Sequence, residues 1–443
     1  MRVVMMTNTY LPHVGGVARS VESFSQALRD AGHAVKVVAP DFPGEAESEP
    51  DVIRVPAIQR FNGSDFSVRL PVPGLLTEPL DRFHPDLIHA HHPFLLGDTA
   101  LRVASGRGLP LVFTHHTLYE DYTHYVSSDS EAIKRFVIDL CTGYANLCDH
   151  VIAPSQSVAA LLQQRGVTSP ITVIPTGIDV DRFKRRSASA KRYRQSLGIP
   201  QEAFVLGHIG RLAPEKNLMF LTRVAASFLK ARPDAWFLVA GTGPLEETMK
   251  GHFGEAGVLD RVRFPGILKG QDLVDCYAAM DVFTFASQSE TQGIVLAEAM
   301  AASVPVVAVD ANGVREVVRD GVNGRKLATE DVDAFCAALG WVADLPPEGR
   351  KKLSTSARRT AKGLSIKESA ERLAAVYGSV IKKKAAWEVP EEGLWEGAMR
   401  RIQAEWHLLG NIAHAAGSAF SGPAGPSSPV SPPVEQALEG NPA

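Results

Sequence analysis

The chain has 443 residues, 45% of them apolar and 21% charged, a make-up that suits a globular protein long enough for two cored domains. A formal net charge of −3 leaves no electrostatic footprint for a nucleic-acid binder. Four cysteines without CxxC spacing exclude a disulfide framework, and no apolar run approaches the ~18 residues that a membrane-spanning helix needs.

Residues 1 to 8 predict a buried strand, and the short Val3 to Met6 run is far from the core of a signal peptide. A reduced, cytoplasmic setting is therefore expected, with any work at a membrane done from its surface. A loop ending in Gly15-Gly16 leads to a helix from Val17 to Ala31, stopped by Gly32, and then to a strand from Ala34 to Ala39. This strand, loop, helix, strand order is the opening of a doubly wound α/β sheet. The glycine pair is not GxGxxG, so no dinucleotide cofactor is expected.

Residues 43 to 79 are rich in Pro, Gly and acids, with short strands such as Val52 to Val55. Residues 85 to 93 read as a strand ending in His89, His91 and His92. Neighbouring strand residues face opposite ways, and no carboxylate or cysteine sits at ligand spacing, so no metal site is expected. The strand Leu109 to Thr114 delivers His115 and His116 at its C-terminal end, where open α/β sheets bind ligands. Tyr119, Tyr122 and Tyr125 follow; their amphipathic rings suit a membrane interface or a wall for sugar stacking.

A helix from Glu131 to Asp149, a strand from His150 to Ala153 and an N-cap at Ser155 come next. A strand at 171 to 174 and the run Pro175-Thr176-Gly177-Ile178-Asp179 close the first half, and the basic run Lys184 to Arg194 reads as a linker. A fresh strand, Phe204 to Ile209, ends in Gly210-Arg211, with Lys216 five residues on. Two fixed cations at a strand end suit a diphosphate; a solvated surface pair is the plainer alternative.

The strand Val282 to Phe285 leads into Ser289-Glu290-Thr291-Gln292-Gly293 and a helix from Ile294 to Ala302, and a second apolar strand, Val304 to Val309, comes next. Free N–H groups at a helix start attract phosphate, yet Glu290 and Glu298 flank this corner. A ligand both anionic and rich in hydroxyls reconciles the two. Otherwise Glu290 is an exposed loop acid and Glu298 a solvated helix face. Helices fill 330 to 381. An amphipathic helix is expected within 387 to 420, and the Gly, Pro and Ser of 421 to 443 suit a chain without fixed structure.

The two glutamates eight positions apart, followed by Ala299-Met300-Ala301 and Pro305-Val306-Val307, resemble the signature of retaining family-4 glycosyltransferases of GT-B fold. The Gly210-Arg211 and Glu215-Lys216-Asn217 pattern and His116-Thr117 resemble further motifs of that family, over residues 1 to about 380. Ser303 stands where the family usually has Gly. Residues Thr117 to Val126 resemble the acceptor-side segment of bacterial 1,2-diacylglycerol 3-glucosyltransferases.

The resemblance implies two Rossmann-like domains facing across a cleft, at 1–185 and 186–381, a C-terminal amphipathic helix at 382–420 crossing back to the first domain, and a disordered tail at 421–443. It implies transfer of a hexose from a nucleoside-diphosphate sugar, with UDP-glucose the expected donor, to an acceptor hydroxyl, best a membrane lipid such as diacylglycerol. His116 and Glu290 would be catalytic. Gly16, Arg211, Lys216, Gln292, Gly293, Ile294, Val295 and Glu298 would bind the donor, and Tyr119, Tyr122 and Tyr125 would lie on the acceptor side. No cofactor or metal is implied, nor any nucleic-acid partner. The protein would be cytoplasmic, at most peripheral on the inner face of the membrane. A soluble or polysaccharide acceptor, a nucleotide-sugar epimerase and a non-catalytic sugar-nucleotide binder are the alternatives.

Overall fold

The computed structural model describes residues 1–12, 15–42, 49–58, 68–69, 74–120, 131–184, 187–288, 292–386 and 394–420. The first half lays down β1 (Arg2–Met6), β2 (Ala34–Pro40), β3 (Val52–Val55), a ribbon of β4 (Ala57–Ile58) and β5 (Val68–Arg69), then β6 (Leu87–Ala90), β7 (Leu111–Thr114), β8 (His150–Ala153) and β9 (Ile171–Val173). The second lays down β10 (Phe204–Ile209), β11 (Ala235–Ala240), β12 (Val262–Gly266), β13 (Val282–Phe285), β14 (Val306–Val309) and β15 (Gly324–Leu327).

Two parallel sheets result, in the orders β3-β2-β1-β6-β7-β8-β9 and β12-β11-β10-β13-β14-β15. Their strands are apolar on both faces because helices cover both faces. Along β1 the side chains alternate between two cores: Val4 and Met6 face one, Val3 and Met5 the other. Along β10, Val205 and Ile209 face one core of the second domain, Phe204 and Leu206 the other.

Each order reverses once, between β1 and β6 in the first sheet and between β10 and β13 in the second. Crevices open at such points, beyond the carboxyl ends of the strands. The residues delivered there are Thr7 and Asn8 after β1, His91 and His92 after β6, Gly210 and Arg211 after β10, and Ala286 to Gln288 after β13.

The chain returns to the first domain through the helix Ile366–Ala385, whose Ala370, Leu373, Tyr377 and Val380 join Phe24 and Leu28 in the first domain's core. The amphipathic pattern gives a second helix, Leu394–Phe420, laid against Leu96–Gly106 and Glu131–Asn146. Its Ala404, Leu408 and Ala415 are buried there, and Asn411 Nδ2 donates to Leu140 O at 3.0 Å.

Two local expectations need correction. The basic run Lys184 to Arg194 is not a bare linker, because Ser187–Ser196 folds as a helix onto the second domain. Buried Arg194 anchors it, donating to the carbonyls of Ala279, Gln201 and Ala203 and pairing with Asp281 at 2.8 Å. The strand after the signature helix starts at Val306 rather than Val304, because the turn that ends the helix runs through Ser303 with φ +65° and bonds Val304 N to Ala299 O.

Candidate active site

The second domain's switch point is built by two loops held together. Ser287 Oγ donates to Glu215 O at 3.0 Å, and Asn217 Nδ2 donates to Ala286 O at 3.4 Å. The segment carrying Arg211 and Lys216 thus lies against the loop that leads towards the signature. Arg211 is exposed and Lys216 half-buried. The turn after β11 supports this segment closely: a Cβ on Gly241, at φ +129°, would lie 1.8 Å from Gly210 O. His208, two residues before Gly210, is fully buried and donates from Nδ1 to Thr284 O at 3.2 Å. Burial lowers its pKa to about 4, and the charge of Lys216 adds to that effect.

The signature helix runs Ile294–Ala301, and Gly293 starts it in the left-handed conformation at φ +69°. A Cβ on Gly293 would sit 2.9 Å from Gly313 O, so the position is closed to larger residues. Glu298 is 6% exposed, which excludes the solvated-face alternative. Tyr277 Oη donates to its Oε2 at 2.7 Å, and Arg19 Nη1 of the first domain reaches its Oε1 at 3.4 Å. Burial raises the carboxyl's pKa, and Arg19, Tyr277 and Arg182 oppose that rise.

Around Glu298 lies a cavity of about 520 Å³ between the two halves. The first half supplies Arg19 and Thr176, the interdomain segment Arg182 and Phe183, and the second half Leu268, Ile294 and Glu298. Gln292 closes one seam, its Oε1 accepting from Thr176 N at 2.8 Å. Val295 is half-buried against the core.

The first domain's switch point is lined by imidazoles. His116 is 6% exposed, and its Nε2 lies 2.9 Å from Nδ1 of buried His91, the two rings stacked with centroids 5.2 Å apart. His89 is held between Tyr377 Oη at 2.6 Å and Thr114 Oγ1 at 2.7 Å. His92 Nδ1 accepts from Asn8 N at 3.1 Å. His115 is 1% exposed, with its ring against Phe113 and Tyr119. Burial drives all five pKa values down, to about 3 for His89 and His92, to about 4 for His115, and well below the ordinary value for His91 and His116. The cluster is therefore neutral near pH 7. Among the described residues no three His, Cys, Asp or Glu side chains are grouped to hold a metal ion.

Tyr119 packs edge-on against Phe94, with ring centroids 5.0 Å apart. Gly16 is the exposed first residue of its helix, and a Cβ there would meet no atom within 4 Å. No packing demand requires glycine at that position.

Glu298 and Ile294 therefore line the interdomain cavity, whereas Arg211, Lys216 and His116 are not among its lining residues. They occupy the two strand-end crevices. Glu290, Tyr122 and Tyr125 lie outside the described residues. Sequence reasoning missed Arg19, Tyr277 and Arg182, and it placed His91 at a strand end without its neighbour His116. Arg19 carries the one available signal, a cation in the first turn of a helix that opens at a glycine pair.

Two family models cover the halves. The one described as Glycosyltransferase Family 4 matches residues 14–182, and Glycosyl transferases group 1 matches residues 189–360. The alpha-monoglucosyldiacylglycerol synthase of Streptococcus pneumoniae is 32% identical over 312 residues, 70% of this chain and 71% of that one. The GDP-mannose-dependent alpha-mannosyltransferase of Mycolicibacterium smegmatis is 30% identical over 393 residues, 87% of this chain and 99% of that one. The crystal structure of Anabaena Alr3699/HepE in complex with UDP and glucose shares the fold with a TM-score of 0.69 at 22% identity, covering 86% of this chain and all of that one. Matching models on both halves, relatives spanning most of the chain and two facing Rossmann-like sheets lead to one conclusion: the protein belongs to glycosyltransferase family 4 and has the GT-B fold.

Proposed function

We propose that this protein transfers glucose from UDP-glucose to the hydroxyl of a diacylglycerol-type lipid, with retention at the anomeric carbon and without a metal. One observation carries the donor side: a buried carboxylate, Glu298, faces a cavity between the domains. A carboxylate only accepts hydrogen bonds, and a ribose diol offers two donors at the spacing of its oxygens. Arg211 and Lys216, at the strand-end crevice, are suited to neutralise the diphosphate as it leaves. Glu290 would orient the sugar and help stabilise positive charge at the anomeric carbon. His116 is neutral in this setting and suited to hydrogen-bond a sugar hydroxyl without repelling that charge. The leaving phosphate would take the acceptor's proton on the same face, so the scheme needs no separate base.

The name of the pneumococcal relative supports glucose and a glycerolipid, and Tyr119 gives the first domain an aromatic acceptor side. The mycobacterial relative's name favours a second reading, GDP-mannose at the same site, because it spans more of the chain. Both are tested by incubating the full chain with each donor and diacylglycerol in mixed micelles, with products read by mass spectrometry. Lipid carrying one added hexose is expected from UDP-glucose. Product from GDP-mannose alone, or donor turnover without any transfer product, overturns the assignment. In the same assay Glu298→Ala is expected to raise the donor KM by about tenfold or more, the loss of two hydrogen bonds.

A further inference from the structure

The Leu394–Phe420 helix lies beyond both matched family regions, which end at residue 360. One face is docked through Ala404, Leu408 and Ala415. The opposite face is unusual. Ile402, Trp406, Leu409 and Ile412 are exposed by 50%, 71%, 59% and 47%, and they are four of the eight exposed large apolar side chains among the described residues. Steps of four, three and three residues put them on one stripe. From Trp406 to Phe420 there is no Asp, Glu, Lys or Arg.

We propose that this stripe is a docking surface for a lipid bilayer, with Trp406 seated at the interface and the helix lying in the membrane plane. Three observations select a bilayer over other occupants. The stripe exposes on the order of 500 Å² of apolar surface, below the ~800 Å² per partner that a stable protein interface buries. A tryptophan at the start of a charge-free helical stretch, just past the Arg102–Glu405 ion pair, suits the boundary between headgroups and acyl chains. The stripe's helix is also fixed to the first domain, which carries Tyr119: Arg135, in the Glu131–Asn146 helix, donates to Ala419 O at 3.3 Å. The inference deepens the lipid-acceptor reading and rests on it for that last argument alone.

The test is co-sedimentation of the full chain, without donor, with phosphatidylcholine vesicles made with and without phosphatidylglycerol. The wild-type chain is expected to sediment with both. The double variant Trp406→Glu, Leu409→Glu is expected to lose vesicle binding by at least about tenfold. Its thermal midpoint should not change, because both side chains face solvent. Its transfer to diacylglycerol in detergent micelles should equal wild type, while transfer in vesicles falls. That micelle arm separates the two ideas: failure there sinks the lipid acceptor, and failure in sedimentation sinks the docking surface. Wild-type chain that stays in the supernatant, a variant that sediments equally, or a dimer in solution that the variant dissolves would each overturn the proposal.

Discussion

Ser303 carries a left-handed backbone at φ +65° just past the end of the signature helix, and its N–H bonds to Met300 O at 2.9 Å. A residue with a Cβ costs about 1 kcal/mol there relative to glycine. Ser303→Gly is therefore expected to stabilise the fold by about 0.5–1 kcal/mol, and Ser303→Val to destabilise it, both read from urea midpoints. An unchanged midpoint in the glycine variant would refute the strain. The departure at Ser303 was visible in the sequence; the sign of φ was not. Glu298 shows the same limit. Its spacing from Glu290 was legible as a pattern, but its burial against Tyr277 and its reach to Arg19 depend on residues 21 and 279 positions away. No local pattern encodes contacts of that kind.

At the scale of elements, β6 and β7 end side by side and deliver five buried histidines to one crevice. Alternation along one strand sets which way each imidazole of that strand faces. It cannot show that His91 of one strand end meets His116 of the next, because that pairing is set by sheet order. The cluster has a consequence for pH. Each imidazole is neutral when folded and titrates near 6.5 when unfolded, so the unfolded chain takes up more protons below that pH. Stability is thus expected to be full above about pH 6.5 and to fall as pH drops towards 4. At pH 5 a single histidine such as His89, whose folded pKa is lowered to about 3, contributes at most about 2 kcal/mol of that loss. Urea midpoints measured from pH 7.5 to 4.5 check this, and a flat profile contradicts it. The strands themselves were the most readable elements, because parallel strands covered on both faces are nearly uninterrupted apolar runs. The basic run at 184 to 194 misled because Arg194 spends its charge on buried carbonyls.

At the scale of the molecule, the halves are joined by more than the chain. Ser157 N and Oγ both donate to Glu316 Oε1, at 3.1 and 3.0 Å, and Ile178 exchanges backbone hydrogen bonds with the Leu364–Ile366 segment. Tyr377 carries its hydroxyl to His89 inside the first domain. Tyr377→Phe removes that partner and leaves a buried ring nitrogen unsatisfied. A loss of about 1–3 kcal/mol in unfolding free energy is expected, and a variant as stable as the parent would show the bond to be dispensable. The two-sheet architecture was legible because each half repeats the strand, loop, helix alternation; the seam was not, since its bonds link distant positions.

The Arg19 to Glu298 contact has a mechanical corollary. The cation sits on the first half and the carboxylate on the second, so they act as a clasp across the gap. A guest that donates to Glu298 Oε1 shares that oxygen with Arg19 or displaces it, so the seat and the clasp meet at one atom.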